Sequence, residues 1–527
     1  MMKRILPIIL GAFAILSANA QIIPTQYGYD KFSQYIDKFN ADDEEVYINE
    51  YSNHKAKDFL AKNIPFFDCP DESINATYYF RWWTFRKHIV KSPKGYVITE
   101  FLPKVRWSGE FNTISCPAGH HIREGRWLKD SQIIGDYVKF WSTAKHIRSY
   151  TFWYANSAYE YHLARPNEQM LKDLYPAFKK NLQAWEKSHY NQTYKLFRQK
   201  DGADGMEISI SGAMIMSWMG YRATINSYMF AEYEAMAKIA QLIGNKDDVK
   251  FYTEKAQDLK ARINSELWDK KDKFYKVMFP GNYGQLSDVR ELHGYTPWYF
   301  NIPPEEYSVA WEQIKCKDGF KAKWGLTSAE RRDPRFRLSY IGHECQWNGP
   351  VWPYSTSITL TALANFVNNY KSDNVDKDDY YDALKTYADA HRRTTEDGRI
   401  VFWIDENQHP DTGDWISRTV LRNWNGQKGW DYIERGKDYN HSTFNDLIIT
   451  GLMGIRLGEG GKVAINPLAP DSWDYFAIEN VPCKNKMLTI LWDEDGSRYS
   501  KGKGFMIFAN GKKIVQKDSV QKVEIDL

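Results

Sequence analysis

The chain has 527 residues, 43% hydrophobic and 26% charged, the proportions of an ordinary globular protein with room for one large domain plus an appendage, or for several smaller domains. Its formal net charge is only +3, with Lys and Arg interleaved among Asp and Glu, which excludes a nucleic-acid-binding stripe and a polybasic membrane patch. Five widely spaced cysteines without a Cys-x-x-Cys pair exclude a zinc ribbon and a dense disulfide framework; one must stay unpaired within the chain, and a single bridge is left open.

In chain order, Met1 to Ala20 reads as a signal peptide: Lys3 and Arg4 form a basic start, Ile5 to Leu16 an apolar run, and Ala18-Asn19-Ala20 a small-residue cleavage site. The mature chain is expected to begin at Gln21 and to be periplasmic or secreted. No Cys follows the cleavage site as a lipid anchor would need, and no later apolar run is long enough to span a bilayer. From about residue 30 to 456 helix-type patterns follow one another. Val249, Tyr252, Ala256, Leu259 and Ile263 draw one apolar stripe. Further helices are predicted around 131–163, 225–243, 304–314, 352–370, 377–393 and 441–456, and one at 167–187 that Pro176 should kink or divide. A dozen helices at roughly 70 residues per pair predict a mainly α, six-hairpin (α/α)6 toroid. The competing solenoid would show a repeat of fixed period, and none is found. After the turn Gly458-Glu-Gly-Gly461 the chain becomes β-rich, as in Met487 to Trp492 and Gly504 to Phe508. The expected organisation is therefore a leader over 1–20, the toroid over 21–457, and a small β-sandwich-like appendage over 458–527 that packs against it.

Aromatic residues reach 16%, with Trp 20 and Tyr 35. They could simply fill a large helical core, or they could line a carbohydrate cleft in which indole rings stack on the apolar faces of sugars. Three loops join acids to aromatic or small residues: Asp201-Gly-Ala-Asp-Gly-Met-Glu-Ile-Ser209, followed by Arg222 and Asn226; His343-Glu-Cys-Gln-Trp-Asn-Gly-Pro-Val-Trp-Pro-Tyr354; and Asp405-Glu-Asn-Gln-His-Pro-Asp-Thr-Gly413, which precedes Asp438-Tyr-Asn-His-Ser-Thr-Phe-Asn445. The first lacks full EF-hand spacing, so no metal is assigned there. His120 and His121, read as adjacent residues of an extended segment, would point to opposite sides and not share a metal.

Taken in order, the three loops resemble glycoside hydrolase family 63 and its relatives the trehalases, in the mannosylglycerate hydrolase-like branch. Gly205-Met-Glu-Ile-Ser209 is similar to that group's Gly-x-acid-x-Ser element, with Glu where Asp is usual. Trp347-Asn-Gly-Pro-Val-Trp352 is similar to its sugar-lining Trp-x-Gly-Pro-x-Trp loop, and Glu406-Asn-Gln-His-Pro-Asp-Thr-Gly413 to the element that carries the base. The resemblance spans roughly residues 70–456. It implies the (α/α)6 toroid and an inverting glycosidase with no cofactor and no metal, in which Glu207 is the acid, Asp204 its alternative, and Glu406 the base. Trp347, Asn348, Gly349 and Trp352 would line the sugar site, joined as candidate contacts by Arg126, Trp127, Asp130, Arg222, Asn226, Trp82 and His441. The large N-terminal β-domain common in that family is missing, so substrate specificity does not carry over.

Such chemistry needs an ionised base beneath the anomeric carbon and a protonated acid at the leaving oxygen, so Glu207 should have a raised pKa. The expected partner is an oligosaccharide or glycoside, with no nucleic acid and no membrane anchor; the sugar and the oligomeric state stay open. Other readings are a different (α/α)6 sugar enzyme, an α-L-rhamnosidase or a polysaccharide lyase with a His or Tyr base, and a non-catalytic glycan-binding toroid.

Overall fold

Two kinds of helix alternate along the chain, and the difference between them sets the architecture. In Lys246–Glu266 only Tyr252, Ala256, Leu259 and Ile263 are buried, and in Lys377–Asp389 only Tyr380, Leu384, Tyr387 and Ala388. One stripe at helical spacing makes an outer helix, apolar towards the core and charged towards water. In Pro353–Asn369, by contrast, every residue from Pro353 to Phe366 is buried, and Ala223–Leu242 is buried nearly all round. A helix covered on all sides belongs inside.

The computed structural model describes residues 23–24, 26–213, 218–281, 284–424 and 434–527; the leader expected over Met1 to Ala20 lies outside them. The inner elements are Ala118–Gly125, Tyr154–Ala164, Ala223–Leu242, Leu292–Tyr299, Pro353–Asn369 and the segment ending in the π-helix Leu447–Leu452, each packed on the next. The ring closes where the Glu124 carboxylate accepts the backbone N–H groups of Phe444, Asn445 and Asp446. The outer elements are Ser131–Trp141, Glu168–His189, Lys246–Glu266, the 3-10 helix Glu305–Ile314, Lys377–Asp389 and Glu72–Lys87. The last comes from the N-terminal part yet backs the final inner element, with Arg81 Nη2 donating to the Ser442 carbonyl at 2.8 Å. Helix Tyr29–Ala41 covers it from outside, which is why it too is buried from Ile74 to Lys87. This is the six-hairpin toroid.

Several expectations are corrected. The stretch 131–163 is two helices, an outer and an inner one, joined by a turn over 142–153. Pro176 does not divide its helix, which runs unbroken over Glu168–His189; it sits on the solvent face, where water can reach the carbonyl it leaves unbonded. His120 and His121 are not in an extended segment but on helix Ala118–Gly125. His121 bonds the Asn440 carbonyl at 2.6 Å, while His120 packs edge-on against Trp153 and Tyr354.

The β-rich end forms two antiparallel sheets. Ile455–Leu457, Lys462–Ile465 and Val523–Asp526 make one. The other joins Tyr475–Cys483, Lys486–Asp493, Gly504–Ala509 and Lys512–Lys517, with an edge strand, Phe66–Asp68, from the N-terminal part. Strand alternation sends Phe476, Ile478, Ile490, Phe505 and Ile507 into the main core, and Ala477, Leu491, Met506 and Phe508 to a second cluster with Ile23 and Tyr499. The borrowed strand is pinned by buried Asp68, which accepts from Arg498 and from the Tyr499 hydroxyl, both at 2.9 Å. All five cysteines carry free thiols, and among the described residues no helix is long and apolar enough to cross a membrane.

Candidate active site

A pocket of about 260 Å³ opens at one mouth of the ring. Most residues lining it stand on segments that lead into inner helices: Glu100 to Cys116 before Ala118–Gly125, Tyr150 before Tyr154–Ala164, Glu207 before Ala223–Leu242, His343 to Tyr354 at the start of Pro353–Asn369, and Tyr439 and His441 before Leu447–Leu452. Glu406 stands on the loop between strand Ile400–Phe402 and helix Ile416–Trp424. Segments far apart in sequence meet there because inner-helix N-termini converge at that mouth. At 260 Å³ the pocket lies just below the usual range of ligand sites, roughly 300–1,000 Å³, room for a small ring rather than a polymer.

Glu207 stands on a tightly held loop. Gly205 is left-handed at φ +77°, and a Cβ there would lie 2.7 Å from Cys116 Sγ. Ile208, a β-branched residue, is also left-handed at φ +59°, a strained conformation that the surroundings must enforce. They do so from several sides. Glu291 Oε1 accepts from the N–H of Ile210 at 2.9 Å and of Ser211 at 3.2 Å, Asp201 accepts from Ser209 Oγ at 3.2 Å, and the Trp347 N–H donates to the Glu207 carbonyl at 3.1 Å. Buried Arg222 beneath the loop attracts Asp201, Asp204 and Glu291. Burial, reinforced by the negative Glu406, pushes the Glu207 carboxyl up to about 8, so it carries a proton at neutral pH.

Glu406 is buried opposite this loop in a different environment. Its Oε1 accepts from Arg435 Nη2 at 2.8 Å and its Oε2 from the Cys345 thiol at 3.2 Å. The same Arg435 nitrogen reaches Glu344 Oε1 at 3.0 Å. Neighbouring Asp405 accepts the Glu406 N–H at 2.8 Å and Ser417 Oγ at 3.0 Å, and burial with the adjacent Glu406 charge raises it to about 7. The loop is tied to the Trp347–Trp352 loop by the reciprocal bonds of Val351 and Gln408, both 2.9 Å. Of the two remaining carboxyls in the pocket wall, Glu344 stays below its ordinary range: burial opposes its charge, but Arg435 and His343 outweigh it. Glu100 is raised to about 8 by burial and accepts the Tyr439 hydroxyl at 2.5 Å. No Lys or Arg among the described residues lines the pocket.

Of the residues expected from sequence, the pocket gathers Glu207, Glu406, Trp347, Trp352 and His441. The two indoles stack at 4.3 Å, and the His441 ring lies 3.8 Å from Tyr439. Burial, with the Arg81 charge behind it, keeps His441 far below the usual histidine range, hence neutral. Asn348 and Gly349 shape the loop without lining the pocket: the Asn348 carbonyl accepts from Arg337 N, and a Cβ on Gly349 would meet Arg337 O at 2.3 Å.

The others lie elsewhere. Asp204 is buried against the Thr224 hydroxyl at the start of the next inner helix, not in the pocket wall. Arg126 and Trp127 both donate to Asp446 Oδ1, at 2.9 and 2.7 Å, towards the opposite mouth; charges flank that Trp because they close a buried ion-pair cluster. Asp130 caps Ser131–Trp141 through the Gln132 N–H, Asn226 spends its amide on the backbone of Phe197, and Trp82 is fully enclosed beside Tyr78 and Phe85.

Sequence reasoning passed over Glu100, Phe101, Trp107, Tyr150 and Arg435. None stands in a motif, although Glu344, Cys345 and Tyr439 sit inside segments already singled out.

The profile of the mannosylglycerate hydrolase MGH1-like glycoside hydrolase domain matches residues 110–442, and that of the glycosyl hydrolase family 65 C-terminal domain matches 455–516. A solved structure named "Sialidase" is 36% identical, with a TM-score of 0.86 over 95% of this chain and 45% of that one, so the chain spans under half of that relative's length. The GH78 family rhamnosidase of Bacillus sp. GL1 shares the fold at 12% identity and a TM-score of 0.52, over 81% of this chain and 40% of that one. With a match over more than half its length, and with the toroid in place, the chain belongs to the mannosylglycerate hydrolase MGH1-like glycoside hydrolase family.

Proposed function

We propose that this glycoside hydrolase removes a terminal neutral sugar from an α-linked glycoside with inversion, Glu207 acting as general acid and Glu406 as general base. One observation carries the reading: two carboxyls in one pocket stand in different surroundings, Glu207 raised to about 8 by burial and Glu406 bonded to the Arg435 guanidinium. Pairs of acids driven apart in this way mark the donor and the acceptor of a proton. Glu406 would deprotonate water beneath the anomeric carbon while Glu207 protonates the departing oxygen. Arg435 and the Cys345 thiol each bond one Glu406 oxygen and so fix its orientation. Stacked Trp347 and Trp352 offer the apolar face of the sugar a wall. The second carboxyl also argues against the lyase reading, which does without one.

A second reading, cleavage of a sialoside, is suggested by the name of the 36% identical structure. Pocket chemistry opposes it. A sialoside brings a carboxylate of its own, and no Lys or Arg among the described residues lines this wall to pair with it. The leader expected over Met1 to Ala20 would make this a periplasmic or secreted enzyme, testable by finding Gln21 at the N-terminus of the exported protein.

The decisive experiment incubates the protein with a panel of α-linked disaccharides, aryl glycosides and a sialyl glycoside while NMR follows the first-formed anomer. The β-anomer of a neutral sugar is expected first. An α-anomer would overturn inversion, free sialic acid would overturn the neutral-sugar reading, and binding without turnover would leave a glycan-binding toroid.

A further inference from the structure

The opposite mouth of the ring holds a second pocket, of about 290 Å³, that the chemistry above does not use. Three guanidinium groups converge there. Arg123 and Arg126 stand at the C-terminal end of Ala118–Gly125, and Arg456 on the strand that follows Leu447–Leu452. Two carboxylates answer them. Asp446 accepts from Arg123 Nε at 2.7 Å and Arg126 Nη2 at 2.9 Å, and Glu160 from Arg126 Nη1 at 2.8 Å. Arg456 is held only by neutral oxygens, the Thr450 carbonyl at 3.3 Å and Asn365 Oδ1, and no carboxylate among the described residues pairs with it.

The cluster thus has one positive charge more than its acids neutralise, at a half-buried site where an uncompensated charge is costly. Further donors are left over. Arg126 Nε and the Tyr299 hydroxyl, on residues 2% and 6% exposed, have no protein partner, and both residues line the pocket. Arg123 commits only its Nε, and its guanidinium lies 5.0 Å over the Tyr299 ring. Asn156, Asn301 and Asn369 add amide groups to the wall.

We propose that this rear pocket binds a small oxyanion, the phosphate or carboxylate group of a hydroxylated metabolite, between Arg123 and Arg456. Guanidinium groups are the side chains best matched to planar or tetrahedral oxyanions, and the leftover donors would complete their coordination. The site lies at the C-terminal ends of the inner helices, away from Glu207 and Glu406, and does not depend on what they do.

The test is calorimetric titration of the full chain at constant ionic strength with inorganic phosphate, D-gluconate and, as a neutral control, glucose. Saturable binding of phosphate, gluconate or both is expected, weakened at least tenfold in Arg456→Gln and unchanged in Glu207→Gln. Phosphate alone would assign a phosphorylated ligand and gluconate alone a sugar acid. Should Arg456→Gln fail to fold, Asn369→Trp, a change at an exposed helix end on the pocket rim, should weaken binding equally by blocking entry. Absence of saturable binding by either anion, or binding indifferent to both pocket variants, would overturn the proposal.

Discussion

The two mouths of the ring are built from the same inner helices and carry opposite charge. At the front, where helices begin, the wall holds Glu100, Glu207, Glu344 and Glu406; at the rear, where most of those helices end, it holds Arg123, Arg126 and Arg456 against a single acid, Glu160. Each mouth carries the sign of side chain that the helix dipoles favour, acids at N-termini and cations at C-termini. The front nonetheless overrides this preference at Glu100 and Glu207, both raised to about 8 by burial. Burial keeps Glu207 protonated despite the N-terminal surroundings, because desolvation of a carboxylate outweighs the fraction of a charge at a helix end. A ring of helices thus supplies a general field, and local burial decides which acid departs from it.

The largest expected effect separates the mouths outright. Glu207→Gln and Glu406→Gln should each lower turnover by about 10²–10⁴-fold with the fold intact by circular dichroism, whereas Arg456→Gln should leave turnover near wild type. Loss of activity in the rear variant alone would break the comparison. Next comes pH. Turnover should fall as pH rises through about 8, where Glu207 loses its proton. The Glu344 charge helps to raise Glu207, so Glu344→Gln should move that alkaline limb to lower pH, which a kcat/KM profile would read.

A third effect concerns stability. Glu232 is buried, caps Tyr154–Ala164 through the Asn156 N–H at 2.9 Å, and is raised by burial to about 8. Between its ordinary range and that value the folded chain holds a proton that the unfolded chain has lost, so stability should decline as pH rises through this window. Glu232→Gln should flatten the decline, as measured by denaturation midpoints from pH 5 to pH 9, about the span of the two states; an unchanged slope would show that Glu232 does not carry it. Smallest is Asp130→Ala, which removes a helix cap and should cost about 1 kcal/mol with no change in turnover. A turnover defect there would return Asp130 to the sugar site.

Much of the toroid was readable because its outer helices must face water on one side. The stripe from Val249 to Ile263 exists for that reason. The inner helices carry no such stripe, so their pairing, and the split of 131–163 into an outer and an inner helix, did not appear in the sequence. Glu207 and Glu406 were readable only through the ordered resemblance of three loops to glycoside hydrolase family 63, since each loop taken singly is also what a solvated turn looks like. Arg435, which bonds the base, and Glu100, which shares its pocket, lie in runs that say nothing individually. Arg126, Trp127 and Asp130 misled for a related reason: a Trp among charges is as good a sign of a buried ion-pair cluster around Asp446 as of a sugar contact.

By itself, then, the sequence determined the class of fold, since periodicity is a local property, and its ordered motifs pointed to the two carboxyls. Only the tertiary structure decided which acids stand protonated, that Phe66–Asp68 completes a sheet more than 400 residues downstream in sequence, and that carboxylates such as Glu124, Glu232 and Glu291 cap backbone on neighbouring segments. Each of these depends on burial and on partners remote along the chain, which arise only once the ring has closed.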